Sequence, residues 1–151
     1  MSKQKINIEI KNKRASYDYE FLIEEIAGII LMGSEIKSIR KGDASIKEAH
    51  CYIQNGKAFI TGMHIAVYEQ AGGYGHQPLR LRQLLLTKSQ IKKLDRALIK
   101  GTTIVPVKMF INDKGLAKLK IALAKGKKKF DKREAIKKKD NQRDIDREIK
   151  G

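Results

Sequence analysis

The residues that could carry out chemistry are few and scattered along the chain. His50, His64 and His76 have no Cys or His partner at metal-ligand spacing, so the sequence predicts neither a metal site nor a cofactor. Cys51 follows His50, but adjacent strand residues point to opposite faces, which separates the thiol from a base that could activate it. We interpret Cys51 as a buried strand residue. Glu24 and Glu25, which are adjacent to each other, are interpreted as solvated. The sequence therefore predicts a protein that is not an enzyme.

Positive charge is the dominant property of this 151-residue chain. It contains 33 Lys and Arg against 17 Asp and Glu, a formal net charge of +16. Self-repulsion of this size destabilises a compact fold unless a polyanion neutralises it, so the expected partner is nucleic acid or an anionic membrane. No apolar run approaches the roughly 20 residues of a membrane span, and no signal peptide is evident. The sequence favours nucleic acid, no membrane, and a reducing cytoplasm that suits a single cysteine.

The charge continues into a C-terminal segment that has little to bury. Residues 125–151 contain 12 Lys and Arg and 6 Asp and Glu, whereas their only large apolar residues are Phe130, Ile136, Ile145 and Ile149. Those side chains cannot offset the conformational entropy of ordering the segment. We expect two regions: a folded domain over 1–124, and a basic tail over 125–151 that is disordered when free and helical when bound to an anionic partner.

The body of the chain has the pattern of short antiparallel strands. Asn55-Gly56 joins two β-rich runs and is a strong hairpin signal, and the turn at 112–115 joins a second pair. After that turn, Lys118 and Lys120 alternate with apolar residues, which predicts one basic face and one buried face. The runs "YDYEFLI" and "AGIILMG" are expected to form a further strand pair.

Three short helices are expected among these strands. One begins at Thr87, where "TKSQ" is a capping box. A second begins at Ser34, with Glu35 near its N-terminus, and a weaker third covers 11–16. About six strands with few helices predict a small antiparallel barrel. The loop "QAGGYGHQP" lacks the spacing of a phosphate-binding motif and is interpreted as mobile surface.

Several longer segments carry a family resemblance that spans nearly the whole chain. They are "GSEIKSIRKGDASIKEAHCYI", "HIAVYEQ", "LLLTKSQIKKL" and "AKGKKKFDKREAIKKKD". In order and spacing the chain resembles the bacterial small protein B family, the SsrA-binding proteins that carry transfer-messenger RNA to stalled ribosomes. The resemblance implies an oligonucleotide-binding-type (OB-like) β-barrel, a tail unstructured in isolation, and delivery of that RNA for trans-translation by one copy of the protein per RNA.

The resemblance also assigns roles to individual residues. Contacts with the tRNA-like part of the RNA are implied for Glu35, Lys37, Arg40, His64, Tyr68, Arg82, Lys125, Lys127 and Lys128. Contacts with the small subunit's decoding region and mRNA path are implied for Tyr17, Asp131, Lys132, Arg133, Ile136, Lys137, Arg143 and Ile149. Relatives commonly have His where this chain has Tyr17, which keeps aromatic stacking but loses titration. The segment 77–83 also departs from the family pattern.

Other interpretations of the same residues stay open at this point. Glu35 would by itself be taken as a helix-start residue, because a carboxylate repels phosphate. His64 would be taken as a structural histidine, and the lysines at 125–128 as a solvated run. The alternative functions are a generic single-strand binder with the same type of barrel, and a ribosomal or RNA-processing protein. A generic binder should stack bases on surface aromatics, of which this chain has few.

Overall fold

Residues 8–68 and 75–127 are described by a computed structural model, in which they form nine β-strands and three α-helices. The strands are β1 Glu9–Lys11, β2 Tyr19–Ile29, β3 Ala44–Ser45, β4 His50–Gln54, β5 Lys57–Thr61, β6 His64–Ile65, β7 Arg82–Leu85, β8 Thr102–Ile111 and β9 Ala117–Gly126. The helices are α1 Ala15–Asp18, α2 Gly33–Arg40 and α3 Lys88–Ala97. None of these helices is long and apolar enough to cross a membrane.

Six of the strands close into a ring. The main sheet has the order β1-β8-β4-β5-β7-β2-β9. Strand β9, at the end of this order, also pairs with β8, which closes the ring. All of these pairings are antiparallel. Closure leaves β1 as an addition outside the ring, while β3 and β6 form a separate two-stranded sheet. The predicted six-stranded antiparallel barrel is confirmed, with three short strands added to it.

The interior of the ring is filled by alternate residues of its strands. On β9, Ala117, Leu119 and Ile121 are buried while Lys118 and Lys120 are half-exposed, which confirms the predicted alternation. Burying each large aliphatic side chain contributes about 1.5–3 kcal/mol to stability. Cys51 is also buried, and burial raises the pKa of its thiol, as expected for a structural strand cysteine.

Both predicted hairpins are present. The β4–β5 turn has Asn55 and Gly56 at φ of 52° and 72°, the left-handed conformation that these two residue types tolerate. At the β8–β9 turn, the side-chain oxygen of Asn112 accepts hydrogen bonds from the backbone N–H groups of Lys114 and Leu116. Local turn chemistry therefore sets the register of these two strand pairs.

The predicted helix at Thr87 is confirmed together with its capping box. The Thr87 hydroxyl accepts from the N–H of Gln90 at 3.1 Å, and the Gln90 side chain accepts from the N–H of Thr87 at 2.9 Å. The Gln90 side-chain amide also donates to Glu25 at 2.9 Å, which ties α3 to β2. Of the acidic pair interpreted as solvated, only Glu24 is exposed, since Gln90 and Lys93 both bind Glu25.

Three details differ from the sequence-based predictions. The two runs expected to pair with each other form the single strand β2, because no turn separates them and β9 and β7 supply its partners. The weak helix expected over 11–16 lies instead over 15–18, since Lys11 belongs to β1. Finally, β9 continues to Gly126, two residues past the predicted boundary at 124, and the N–H of Lys127 donates to the carbonyl of Asp18.

Gly62 lies in the turn that leads to His64, and its substitution tests how tightly that turn is packed. Both Gly62 and Gly56 have positive φ, but a Cβ at Gly62 would lie 2.8 Å from the Glu48 carbonyl oxygen, whereas one at Gly56 would meet nothing within 4 Å. We expect Gly56→Ala to lower the free energy of unfolding by about 1–2 kcal/mol through left-handed strain. Gly62→Ala should cost about 1–3 kcal/mol more through overpacking.

Urea denaturation of the two variants provides this comparison. An equal loss in the free energy of unfolding for the two variants would show that the turn before His64 shifts to accommodate a side chain.

Candidate nucleic-acid interface

The exposed side of α2 brings together basic residues and one aromatic ring. The ammonium groups of Lys37 and Lys41 lie 5.4 and 4.9 Å from the centre of the Tyr68 ring, and Arg40 is exposed on the same helix. We call these four residues the α2 surface. The Ser38 hydroxyl donates to the Ala66 carbonyl at 2.7 Å and ties the helix to the segment that carries Tyr68. The arrangement offers cations for phosphates next to a ring for a base.

Lys41 belongs to this surface although the sequence analysis did not select it. It lies one helical turn after Lys37, and residues four apart share a helix face. That spacing was the signal in the sequence that could have identified Lys41 as part of this surface.

His64 is exposed on the short strand β6. Its neighbour Ile65 is buried, and His64 pairs with Ser45 of β3. The structure thus places His64 on the outside, where it can reach a ligand. No group of three or more metal-ligating side chains occurs within residues 8–68 and 75–127.

Two residues predicted to contact RNA are instead buried against each other. Glu35 and Arg82 are both fully buried, and the guanidinium Nε of Arg82 donates to the Glu35 carboxylate at 2.5 Å. Arg80 donates to the other carboxylate oxygen at 2.5 Å, and the N–H of Met32 donates to that oxygen at 2.8 Å. Both side chains are inaccessible in this arrangement, so the predicted direct contact of Glu35 and Arg82 with RNA is corrected: the two residues bind each other inside the protein.

The other two nitrogens of the Arg82 guanidinium bind backbone carbonyls. Nη1 donates to the carbonyls of Met63 at 2.8 Å and Arg80 at 2.9 Å, and Nη2 donates to the carbonyl of Pro78 at 3.2 Å. Burial alone would raise the pKa of Glu35, but the hydrogen bonds from Arg80, Met32 and Arg82 hold that pKa below its ordinary value. The network therefore stays charged at neutral pH and joins α2, β7 and the turn after β5.

His76 fixes the end of a loop that the sequence analysis interpreted as mobile surface. The histidine is buried; its Nε2 donates to the Ile65 carbonyl at 2.9 Å, and its Nδ1 forms a hydrogen bond with the Ser34 hydroxyl at 2.9 Å. A carbonyl can only accept, so Nε2 carries the proton of this bond. Residues 69–74 of the loop lie outside the described residues, but residues 75–78 are bound to α2 and β6.

The end of β9 lies beside α1. Lys125 is exposed, and the Lys127 ammonium donates to the Ser16 carbonyl at 2.9 Å. Tyr17, which follows Ser16, is half-buried. A predicted RNA-binding residue, Lys127, thus adjoins a predicted ribosome-contacting residue, Tyr17. The remaining predicted residues lie outside the described part of the chain, namely Lys128, Asp131, Lys132, Arg133, Ile136, Lys137, Arg143 and Ile149.

An exposed apolar face was missed by the sequence analysis, which did not single out its residues. Ile26, Ile30 and Leu85 are 54%, 45% and 54% exposed, and we call them the β2–β7 face. The strand register pairs Ile26 with Lys120, and paired residues of an antiparallel sheet share a side. The signal was the even spacing of Ile26 on β2 and Ile30 directly after it, which places them opposite the buried Ala27 and Ile29. This face combines apolar side chains with a lysine.

Substitution of Glu35 tests the buried network. Because the pKa of Glu35 is lowered in the folded state, its contribution to stability is present above the ordinary carboxyl pKa and is lost as the pH falls through the folded value. At neutral pH, Glu35→Gln leaves the Arg82 charge unpaired and should lower the free energy of unfolding by about 3–5 kcal/mol.

The matched control is Glu24→Gln, which breaks the exposed pair with Lys120 and should cost no more than about 1 kcal/mol. Chemical denaturation from neutral to acidic pH measures both variants. The difference between Glu35→Gln and the parent should shrink at acidic pH; a constant difference would contradict the assigned ionisation.

Comparison with known proteins gives the chain a family. The family model described as SmpB protein matches residues 9–151. The SsrA-binding protein of Phocaeicola vulgatus is 54% identical over 144 residues, covering 95% of this chain and 96% of that protein. That of Cytophaga hutchinsonii is 51% identical over 142 residues, covering 93% of each. A chain of the solved structure described as "tmRNA-SmpB: a journey to the center of the bacterial ribosome" is similar with a TM-score of 0.68 at 36% identity, covering 85% of this chain and 94% of that one. On these grounds the chain belongs to the SmpB protein family.

Proposed function

We propose that this chain is an RNA-binding adaptor that binds the tRNA-like domain of transfer-messenger RNA and delivers it to stalled ribosomes. The observation that carries the proposal is the match over nearly the whole chain to relatives named SsrA-binding proteins, joined to a fold similar to a chain of a tmRNA-SmpB structure. A formal net charge of +16 fits an RNA partner, because neutralising phosphates releases counterions. One copy of the protein serves one RNA.

The α2 surface and His64 are the first contact with RNA in this proposal. Lys37, Arg40 and Lys41 are exposed and bind phosphates, while Tyr68 and His64 offer rings to sugars or bases. Support for this assignment comes from the hydrogen bond between Ser38 and Ala66, which holds the two chain segments of the surface together without using its exposed cations.

The β2–β7 face is the second contact. Double-stranded RNA presents phosphates and hydroxyls, so an apolar face finds no complement along a helix. Unpaired bases of a loop do offer apolar surface, and the loops of a tRNA-like fold contain such bases. We assign Ile26, Ile30 and Leu85 to these bases, with Lys118 and Lys120 on neighbouring phosphates.

The tail carries the ribosome contact. Residues 125–151 hold 12 basic and 6 acidic residues, a composition suited to ribosomal RNA. We propose that Asp131, Lys132, Arg133, Ile136 and Lys137 occupy the decoding region and the mRNA path when no codon is present, together with Arg143 and Ile149. Tyr17 lies beside the start of this segment through Ser16 and Lys127.

The proposed function asks for no covalent chemistry from the protein. The thiol of Cys51 is buried with a raised pKa, which leaves it without thiolate character. The RNA supplies the amino acid and the reading frame. The protein therefore needs only to join two anionic partners, the RNA and the ribosome. This work is done where ribosomes translate, in the cytoplasm.

Charge reversal on α2 tests the RNA contact. We expect Lys37→Glu with Lys41→Glu to weaken binding of the tRNA-like RNA at least tenfold at physiological salt, and to reduce the slope of log affinity against log salt by about 1.5–2 because two phosphate contacts are lost. The matched control is Lys92→Glu with Arg96→Glu, an exposed pair at the same spacing on α3. It should weaken binding by much less.

Gel-shift titrations at several salt concentrations measure both pairs. Equal weakening by the two pairs would contradict a specific α2 surface and leave only overall charge. Competition by poly-pyrimidine strands as strong as that by the tRNA-like RNA would favour the generic single-strand binder instead.

Truncation after Phe130 separates the two proposed contacts. The cut removes none of the residues that form the barrel, so the shortened protein should fold and bind the tRNA-like RNA with only a modest loss. It should fail to support peptide tagging, because the segment assigned to the decoding path is absent. The measurement is tag addition on ribosomes stalled without a codon, at equal RNA occupancy of the two proteins. Full tagging by the truncated form would remove the tail from the mechanism.

A further inference from the structure

The first half of β2 presents an exposed surface whose charge is opposite to that of the chain as a whole. The strand contains Glu20, Glu24 and Glu25 but no Lys or Arg, in a protein with a formal net charge of +16. Glu20 and Glu24 are exposed, and Leu22 between them is 50% exposed. We call Glu20, Leu22, Glu24 and the exposed Ile26 the acidic β2 surface. Its carboxylates repel phosphates, so it suits a cationic partner that also carries apolar side chains.

Leu22 is exposed because of an irregularity in the strand pairing. Phe21 pairs with Ala124 and Ile23 pairs with Leu123, so two consecutive residues of β9 face three residues of β2, and Leu22 is the extra one. A β-bulge of this kind re-aims a side chain and is a built feature of a sheet. The bulge therefore places an apolar side chain between the two exposed carboxylates.

Most of the negative charge on this surface is available to a partner. Within the described ranges Glu20 forms no ion pair, and Glu24 reaches the Lys120 ammonium at 3.3 Å while remaining exposed. The hydrogen bond from Gln90, helped by Lys93, holds the pKa of the neighbouring Glu25 below its ordinary value. Glu25 therefore stays charged at neutral pH.

A pocket of about 400 Å³ opens at the end of this surface, where α3 meets β2. Its lining includes Glu24, Glu25 and Ile26, together with Gln90 and Lys120. Two carboxylates against one ammonium leave the pocket negative. A long side chain with an aliphatic stem and a cationic end, as in Lys or Arg, fits this lining.

The chain's own C-terminal segment has the matching chemistry and starts beside this surface. Residues 128–139 contain seven Lys and Arg against two Asp and Glu, and their large apolar residues are Phe130 and Ile136. The N–H of Lys127 donates to the carbonyl of Asp18, the residue immediately before β2. The segment therefore begins at the same end of β2 as the acidic β2 surface.

The segment is also long enough to cover this surface. Residues 20 to 26 of a strand span about 20 Å. After a turn of about four residues that reverses the direction of the chain, the remaining eight residues up to 139 span about 26 Å when extended. No movement of the barrel is needed.

We propose that, in the protein without RNA, residues 128–139 lie along the acidic β2 surface. Basic side chains of the segment pair with the exposed carboxylates and enter the pocket, while Phe130 and Ile136 cover Leu22. The composition of the tail gives its apolar residues no partner within the tail itself, and the acidic β2 surface supplies one.

This docking couples the tail to RNA, a consequence that rests on the proposed function. Ile26 belongs both to the acidic β2 surface and to the β2–β7 face, which was assigned to RNA bases. RNA on that face displaces the segment, and by linkage each weakens the binding of the other by the same factor. The tail is thus withheld from the ribosome until the RNA is bound.

Paramagnetic relaxation in the full chain tests the docking. A nitroxide label on Ala135→Cys reacts at the introduced thiol alone, because Cys51 is buried with a raised pKa. With the segment docked in about half of the molecules or more, the label should weaken the amide NMR signals of residues 20–26 about twofold or more relative to the reduced label. Signals of residues 112–116, before the far end of β9, should change much less.

Two pairs of variants separate this contact from general charge attraction. Glu20→Gln with Glu24→Gln should reduce the docked fraction about threefold, because two ion pairs with the segment are lost. The matched control is Glu48→Gln with Asp95→Asn, which removes two exposed carboxylates outside β2. Equal effects of the two pairs, unaffected signals at residues 20–26, or a loss spread evenly over the barrel would overturn the proposal.

A mixture of two protein samples identifies the occupant of the surface. Isotope-enriched chain without a label is combined with an equal amount of labelled chain that carries no isotope. Undiminished signals at residues 20–26 are expected, because each surface holds its own segment. The same loss as in the labelled enriched chain would assign the surface to a second copy and overturn the proposal.

Addition of the tRNA-like RNA, with gel shifts on the same preparations, separates this inference from the proposed function. Bound RNA should remove the effect of the label on residues 20–26; an unchanged effect refutes the displacement. A parent protein that binds the RNA but shows no docking refutes the inference alone. A parent protein that docks its segment but fails to bind the RNA refutes the proposed function alone.

Discussion

The buried ion pair between Glu35 and Arg82 determines the arrangement of the exposed residues around it. Removing two charges from water is unfavourable, and their attraction repays this cost only when the remaining donors and acceptors are satisfied. Here Arg80 and the Met32 N–H complete the carboxylate, and backbone carbonyls complete the guanidinium. These partners come from three stretches of chain: the start of α2 with Met32, the segment of Arg80 and Arg82, and Met63. The pair therefore holds α2, β7 and the start of β6 in one arrangement.

This constraint explains how one short helix serves both structure and binding. Glu35, Ser38 and Ile39 face inward and fix α2 against the barrel, whereas Lys37 and Arg40 on the other side remain exposed. Rigid placement lowers the entropy lost when a ligand orders the exposed side chains. Buried charges thus fix the positions of exposed charges, and the two sets are not interchangeable.

Elements governed by local rules could be predicted from the sequence, and elements governed by distant partners could not. The Asn55 turn and the Thr87 cap depend on residues within three or four positions, and the structure contains both. The pairing of Glu35 with Arg82 spans 47 residues, and nothing in either segment indicates it. The contacts expected of both came from the family resemblance, and the general exposure of charged residues gave no reason to expect burial. The exposure of Leu85 could not be predicted either. An apolar strand residue is expected in the core unless the partners of its strand are known.

Closure of the barrel also connects the candidate site to the tail. Strand β9 completes the ring by pairing with both β2 and β8, so its end at Gly126 has a fixed position. From there the Lys127 backbone and side chain bind Asp18 and Ser16, which places the beginning of the tail against α1. Tyr17 lies in the same short helix. The most basic part of the chain thus begins at a position that the closed barrel fixes, next to the short helix α1.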